Sequence, residues 1–268
     1  MMLKIKEKKS HLGTIICTLV MVLAIAVCLF AGSNLYNIWA EYKAGTDEYS
    51  KIQDMAVTEI QPSAEVRKEV VLPDAEEDQT WDAPIEIDFA SLQVVNKDIE
   101  GWIYVEAIPT ISYPVVQGED NDYYLHRTFE KQDNFAGTLF LDYKNTEQFE
   151  SPNTIIYGHN MKNGSMFGRL KEFREQETYD TSPYIWILTP EGDFKYQIFS
   201  AYVAEVDSDT YTLIKGPGKE LVDYAGRMQG YSSIICERTA FEPTDKIITL
   251  STCTGDDSTR YVVQAVRI

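Results

Sequence analysis

The feature that most constrains this chain is an apolar run close to its amino terminus. Residues 12–31 read LGTIICTLVMVLAIAVCLFA and contain no charged side chain. A helix of this length rises by about 1.5 Å per residue and so matches the roughly 30 Å hydrocarbon core of a bilayer. We therefore predict a transmembrane anchor over residues 12–31, and the rest of the fold must be built from the residues that follow it.

The charges that flank this run predict its orientation. Residues 1–11 carry four lysines and a single glutamate, so the positive-inside rule puts this tail in the cytoplasm and the residues after the anchor outside the cell membrane. A cleaved secretory signal is the alternative, because Ala31, Gly32 and Ser33 resemble a cleavage site. Such signals usually have an apolar run of about 7–15 residues, and the greater length here favours an uncleaved, single-pass anchor.

The balance of charges excludes one class of function. With 24 Lys+Arg against 42 Asp+Glu, the formal net charge is −18. A protein that binds nucleic acid needs a basic face to neutralise phosphates, and no Lys/Arg cluster of that kind follows the tail. We expect an acidic outer region without a nucleic-acid partner.

Residues 32–84 divide into a predicted helix and a predicted spacer. Apolar residues recur at three-, four- and seven-residue spacing over residues 34–56, which is typical of one face of an amphipathic helix. From Thr58 to Pro84 this period disappears, while acidic residues and prolines accumulate. This composition predicts a solvated spacer, the alternative being that the segment forms part of the folded domain.

Residues 85–268 have the pattern of a compact, mainly β domain. Apolar and β-branched residues form eight short runs bounded by turn residues, and three stretches of helical periodicity interrupt them. The expected fold is a closed or nearly closed eight-stranded barrel with peripheral helices, rather than a parallel doubly wound sheet. The predicted strands are residues 101–105, 111–116, 137–141, 154–157, 184–189, 194–206, 246–252 and 261–268, and the predicted helices are residues 121–128, 166–174 and 220–228.

Cys253 is the strongest candidate for chemistry. It ends the segment TLSTC, a predicted strand that precedes a polar loop, so the thiol would be held by the sheet and still face an open cleft. Of the other cysteines, Cys17 and Cys28 lie in the apolar run, and we expect Cys236 to pack as a small apolar residue. On this ground alone, Cys253 is either a packing residue or a nucleophile.

A nucleophilic thiol needs a base and a stabilising cation close to it. His159 directly follows a predicted strand, at a corner where an imidazole can meet a thiol. Arg260 opens the last predicted strand, seven residues after Cys253. Antiparallel pairing would put its guanidinium beside the thiol, where it can stabilise an oxyanion; a surface salt bridge to Asp256 or Asp257 is the alternative role. The outer cysteines and histidines are too scattered for a zinc site, so we expect no metal and no other cofactor.

Taken together, these residues resemble the sortases, and within them the class B sortases. The similarity is carried by TLSTC, by NTIIYGHNMKNGSMFGRL and by the arginine that follows the cysteine, and it extends to NKDIEGWIYVEAIPTISYPVVQGEDNDYYLHRTF and AGTLFLDYKN. It covers about residues 86–268. The resemblance implies a sortase-type β-barrel and a cysteine transpeptidase on the outer face of a Gram-positive cell membrane, which attaches secreted proteins to the wall or to one another.

The resemblance also implies roles for individual residues. Cys253 is similar to the family's nucleophile, His159 to its general acid/base and Arg260 to its oxyanion-stabilising residue. The residues that fall where family members bind substrate are Asn145, Tyr157, Ser251 and Thr252. Gly255 departs from the pattern, since some members carry an acidic residue at this position.

The implied reaction is acyl transfer. The enzyme would cleave a sorting motif after its threonine through a cysteine thioester and pass the acyl group to an amine of a cell-wall precursor. Its partners would be secreted proteins that carry the motif and the amine acceptor. Three alternatives stay open: a transpeptidase that polymerises pilins through a lysine, a cysteine hydrolase of wall peptides, and an anchored binding module in which Cys253 is structural.

Overall fold

The computed structural model describes residues 11–60, 83–237 and 240–268. It divides the chain into two compact units, one that ends at Ala44 and one that comprises Gly45–Ile268. In chain order the helices and strands are α1 His11–Ala56, β1 Val57–Glu59, β2 Ile85–Ile87, α2 Phe89–Val95, β3 Ile99–Val105, β4 Ser112–Gln117, β5 Leu139–Leu141, β6 Asn153–Tyr157, α3 Gln176–Thr181, β7 Tyr184–Thr189, β8 Gly192–Glu205, α4 Lys219–Tyr231, β9 Ile247–Cys253 and β10 Thr259–Arg267. Short 3₁₀ helices occur at Tyr123–Leu125, Glu147–Phe149, Leu170–Arg174 and Asp209–Tyr211.

The first unit contains the amino-terminal part of α1. Among the described residues, α1 is the one helix long and apolar enough to cross a membrane. The sequence pattern predicts a separate helix from residue 34, whereas α1 continues through Gly32 and Ser33. The reason is that a glycine inside a helix costs only about 1 kcal/mol relative to alanine, and no proline interrupts residues 11–56.

The last turns of α1 belong to the second unit. Tyr49 is buried, and its hydroxyl donates a hydrogen bond to the carbonyl oxygen of Gly137 at 2.6 Å. Gln53 Nε2 donates to the carbonyl oxygen of Ser112 at 2.7 Å. These contacts join the end of α1 to β4 and to the loop before β5. The compact unit therefore begins at Gly45, ahead of residue 85, where the strand pattern alone starts the domain.

Eight strands form a closed barrel in the order β10-β8-β7-β3-β4-β5-β6-β9. Neighbouring strands are antiparallel except for two pairs, β4 with β5 and β6 with β9, which are parallel. The prediction of a mainly β, closed eight-stranded barrel is thereby confirmed. Strand β5 starts at Leu139, two residues later than predicted, because Gly137 has φ +58° and so lies outside the β region.

The two ends of the predicted acidic spacer lie side by side. β1 pairs with β2 in a separate antiparallel two-stranded sheet, with Thr58 opposite Glu86. The amide of Ile60 donates to the carbonyl oxygen of Pro84 at 3.0 Å. The middle of the spacer, residues 61–82, lies outside the described residues.

Of the three predicted helices, one is an α-helix and two are shorter than expected. The third, at residues 220–228, corresponds to α4. At residues 121–128 the chain forms a single 3₁₀ turn, because the Asp120 carboxylate accepts hydrogen bonds from the amides of Asp122 and Tyr123 and so favours a turn. At residues 166–174 the helix starts only at Leu170, since Met166 has φ +52°.

Helix α4 covers one part of the outer face of the barrel. Its buried side chains include Leu221, Tyr224 and Met228, which pack with Phe199 of β8 and Val262 of β10 in one apolar cluster. The carboxyl end of β9 is not covered in this way, because Cys253 is exposed. Strand β9 therefore runs from a covered region, which includes Ile247, to an open end at Cys253.

Candidate active site

Strand pairing brings three predicted site residues to one end of the barrel. In the parallel pair β6 and β9, Tyr157 lies opposite Ser251. His159 lies two residues after Tyr157, and Cys253 lies two residues after Ser251, so both are at the same end of the sheet. In the antiparallel pair β9 and β10, Cys253 lies directly opposite Arg260. The topology thus unites residues that are far apart in the sequence.

The corner between β6 and His159 is packed closely. The amide of Gly158 donates to the carbonyl oxygen of Ser251 at 3.1 Å, which extends the pairing with β9 by one residue. A Cβ atom on Gly158 would lie 2.3 Å from Leu139 and 2.6 Å from the ring of Phe167. Asn160 Nδ2 donates to the carbonyl oxygen of Cys253 at 2.8 Å. Hydrogen bonds on both sides of His159 therefore tie this corner to β9.

Cys253 is followed by a tight turn that connects β9 to β10. Gly255 takes φ +99°, and the Asp256 carboxylate accepts hydrogen bonds from the amide and the hydroxyl of Ser258 at 2.8 and 2.7 Å. These bonds lower the pKa of Asp256. A residue of the turn thus supplies hydrogen bonds to the Asp256 carboxylate, and the Cys253 side chain stays exposed where the turn begins.

The guanidinium of Arg260 is held by backbone rather than by a carboxylate. Its Nη1 donates to the carbonyl oxygens of Asp257 and Thr259 at 3.0 and 2.8 Å. No ion pair with Arg260 occurs among the described residues, so the alternative of a surface salt bridge to Asp256 or Asp257 is not what the structure contains. Its positive charge remains available to an anion that forms next to Cys253.

His159 has a defined tautomer. Its Nε2 lies 2.7 Å from the carbonyl oxygen of Leu125. Because a carbonyl oxygen can only accept a hydrogen bond, Nε2 carries a proton and Nδ1 is the basic nitrogen of the neutral ring. Burial lowers the pKa of His159 below its ordinary value; the Leu125 hydrogen bond opposes this effect and the nearby His126 adds to it. The imidazole is therefore neutral at pH 7.

Two tyrosines stand beside the candidate site. Tyr211 shares a hydrogen bond of 2.9 Å with Ser251 Oγ, and its ring stacks on that of Tyr157 with centroids 6.4 Å apart. The Tyr157 hydroxyl donates to Asp142 Oδ2 at 3.1 Å. Burial raises the pKa of both phenols, so they stay protonated and can donate hydrogen bonds. Sequence reasoning missed Tyr211, because the segment around it carries no strand or helix periodicity.

The other two predicted substrate-binding residues have different surroundings. Asn145 uses its amide to hold the start of β6: Nδ2 donates to the carbonyl oxygen of Asn153 at 2.8 Å, and Oδ1 accepts from the amide of Ile155 at 2.9 Å. Thr252 is 3% exposed and alternates to the face of β9 opposite to Ser251 and Cys253. The structure thus brings Tyr157 and Ser251 together near Cys253, and turns Asn145 and Thr252 elsewhere. A contact of each of these residues with substrate stays a prediction.

Both outer cysteines are free thiols. Cys236 is half-buried, and its sulfur lies 4.0 Å from Ser232 Oγ. Burial raises the pKa of Cys236 to about 11. This thiol is therefore protonated at neutral pH and a poor nucleophile, in keeping with its expected packing role.

Known proteins share this fold and this arrangement of segments. Residues 103–268 match the family model of the Sortase domain. A sortase B of Listeria monocytogenes is 34% identical over 209 residues, which are 73% of this chain and 83% of that protein. The solved structure of Clostridium perfringens sortase B superposes with a TM-score of 0.63 at 30% identity and covers 68% of this chain and 100% of that one. A Staphylococcus aureus sortase B–substrate complex gives a TM-score of 0.62 at 31% identity and covers 67% of this chain and 84% of that one.

The chain belongs to the sortase family of cysteine transpeptidases. Its relatives and structural neighbours are class B enzymes, which confirms the class B resemblance of the sequence. The individual roles of Cys253, His159 and Arg260 are argued below.

Proposed function

We propose that this protein is a membrane-anchored class B sortase that cleaves a sorting motif after its threonine and transfers the acyl group to an amine of a cell-wall precursor. The observation that carries the proposal is the register of three strands. Cys253 lies opposite Arg260, and the parallel β6–β9 pairing brings His159 to the same edge. A thiol, a base and a cation are the groups that acyl transfer through cysteine requires.

In the first half of the reaction, Cys253 Sγ attacks the carbonyl carbon of the threonine. The thiol proton passes to Nδ1 of His159, which is the basic nitrogen because Nε2 donates to Leu125. The carbonyl oxygen becomes an oxyanion, and the Arg260 guanidinium stabilises it. Collapse of this intermediate breaks the C–N bond, and the leaving amine takes the proton from His159. The product is a thioester between the substrate's acyl group and Cys253.

In the second half, the acceptor amine replaces the leaving peptide. Its nitrogen attacks the thioester carbon while His159 Nδ1 accepts one of its protons. The new tetrahedral intermediate expels the Cys253 sulfur, which recovers its proton from the imidazolium. Because the two substrates bind in turn, we expect ping-pong kinetics.

The anchoring role rests on α1. This helix contains the uncharged residues 12–31 and is long enough to span a bilayer. With the lysine-rich tail in the cytoplasm, the barrel lies outside the cell membrane, where secreted proteins and wall precursors are available.

The test is product analysis. The protein is incubated with short peptides that end in Thr-Gly, Thr-Asn, Thr-Ala or Thr-Ser extensions, with and without a defined amine, and the products are identified by mass spectrometry. We expect a peptide–amine conjugate whose formation is lost in the Cys253→Ala protein. Only free acid, even with the amine present, would make the protein a hydrolase. Conjugate formation with a lysine side chain as the one accepted amine would make it a pilin polymerase, and no cleavage at all would favour the binding module.

A further inference from the structure

A cluster of buried polar side chains lies beneath the candidate groove. The three strands that lead to Cys253, His159 and Arg260 contribute one member each, and all three members are almost completely buried: Asn153 of β6, Thr249 of β9 and Gln264 of β10. Thr249 alternates to the same face of β9 as Ser251 and Cys253, because successive side chains of a strand point to opposite faces. The cluster therefore lies on the same face of the sheet as Cys253, in the part of that face that is buried.

The cluster is joined to helix α4 through the hydroxyl group of Tyr224. Thr249 Oγ1 donates to Asn153 Oδ1 at 2.7 Å and accepts from Gln264 Nε2 at 3.0 Å. Gln264 Nε2 and Asn153 Nδ2 also donate to the Tyr224 hydroxyl, at 2.7 and 3.1 Å. Tyr224 donates its own proton to the carbonyl oxygen of Thr210 at 2.6 Å. A phenol has one donor and two acceptor positions, so Tyr224 is fully satisfied.

The hydrogen bonds of the cluster end on both sides of Tyr211. Tyr224 binds the carbonyl oxygen of Thr210, and Asn153 Nδ2 donates to the carbonyl oxygen of Thr212 at 3.1 Å. Between these two anchored residues, Tyr211 extends to Ser251 at the edge of the candidate site. The backbone of this 3₁₀ turn is therefore fixed from beneath by helix α4 and by β6, the strand that leads to His159.

We propose that Asn153, Gln264 and Tyr224 are positioning residues that hold Tyr211 as a rigid wall of the peptide groove. A buried network in which each group is satisfied rigidifies its surroundings. A wall that is already ordered need not lose conformational freedom when the peptide binds, which favours affinity. This inference rests on the proposed function, since it takes the groove beside Cys253 as the peptide site.

Tyr224→Phe tests the proposal, because it removes one oxygen atom and three hydrogen bonds while it keeps the ring. We expect KM for the donor peptide to rise about three- to tenfold while kcat at saturating amine stays within about twofold. We also expect faster hydrogen exchange of the backbone amides at residues 209–214. Tyr196→Phe is the matched control: its hydroxyl is buried and has no hydrogen-bond partner within the described part of the chain, so KM and exchange should both stay unchanged.

A second variant approaches the cluster from the sheet. Thr249→Val keeps the shape of the side chain and removes the bonds to Asn153 and Gln264, so it should raise KM in the same way. An unchanged KM in both variants, unchanged exchange at residues 209–214, or failure of both variants to fold would overturn the positioning role. Failure of the proposed function is seen separately, in wild-type protein that makes no conjugate or in a Cys253→Ala protein that still does. In that case the exchange measurement decides whether the cluster holds the turn.

Discussion

Gly158→Ala should lower both the free energy of unfolding and the catalytic rate, because the structure leaves no room for a Cβ atom at this position. The added Cβ would lie 2.3 Å from Leu139 Cδ2 and 2.6 Å from Phe167 Cδ2. Non-bonded carbon atoms normally approach to about 3.5–4.0 Å, so each neighbour would have to move by roughly 1 Å. Both side chains are completely buried, and neither can turn into solvent. Overpacking of this kind costs about 1–3 kcal/mol of unfolding free energy.

The same strain should reach the candidate catalytic base. The amide of Phe167 donates to the carbonyl oxygen of His159 at 3.0 Å, so displacement of Phe167 also displaces His159. A shift of about 1 Å in a reacting group can lower the rate by about 100-fold. We expect Gly158→Ala to lower kcat by at least about tenfold under conditions in which the protein is still folded.

Urea unfolding and peptide cleavage measure the two effects separately. Gly226→Ala is the control, because Gly226 lies inside α4 and has no atom within 4 Å of its added Cβ. This control should gain up to about 1 kcal/mol through the better helix propensity of alanine and keep wild-type activity. If Gly158→Ala unfolds at the wild-type urea concentration and cleaves at the wild-type rate, close packing is not what requires glycine at this corner.

Three further predictions concern the proposed catalytic groups. Cys253→Ala should leave the unfolding free energy within about 0.5 kcal/mol of wild type, because the side chain is exposed, and should abolish conjugate formation; equal activity would remove Cys253 from the mechanism. Arg260→Lys should lower kcat severely, since an ammonium group does not reproduce the planar guanidinium fork, and retained activity would reassign the oxyanion to backbone amides. The lowered pKa of His159 means that the folded state binds this proton less well than the unfolded state, so stability is present above pH about 6.5 and is lost as the pH falls through the folded-state pKa. Urea titrations at pH 5 and pH 8 should show this loss of unfolding free energy in wild type and a smaller loss in His159→Gln. An equal loss between pH 8 and pH 5 in the two proteins would contradict the prediction.

The strands were predictable because their information is local. β7 was expected at residues 184–189 and occupies Tyr184–Thr189, a run of aromatic and β-branched residues bounded by turns. The order of the strands around the barrel is not local information. The parallel pairing of β6 with β9 joins residues far apart in the sequence, and no spacing rule within either segment predicts it. The placement of His159 at the same end of the barrel as Cys253 could therefore be expected from the family resemblance, but not from spacing.

The neighbours of the candidate site were harder to predict than its reacting groups. The spacing of Cys253 and Arg260 predicted their antiparallel pairing, because a short turn leaves few registers for the two strands. Tyr211 instead reaches Ser251 from the long connection between β8 and β9, and the position of that connection depends on hydrogen bonds to Tyr224 and Asn153. A side chain whose position is set by tertiary contacts of its neighbours leaves no periodic signal in the sequence.

Strand alternation separates two residues that the family resemblance put together. Ser251 and Thr252 were both expected to bind substrate, yet successive residues of β9 must face opposite ways. Ser251 shares its face with Cys253 and meets Tyr211, whereas the Thr252 hydroxyl is buried on the other face without a hydrogen-bond partner among the described residues. The buried Thr252 side chain can influence Cys253 through the backbone of β9 that joins the two residues, while its direct contact with the peptide stays a prediction.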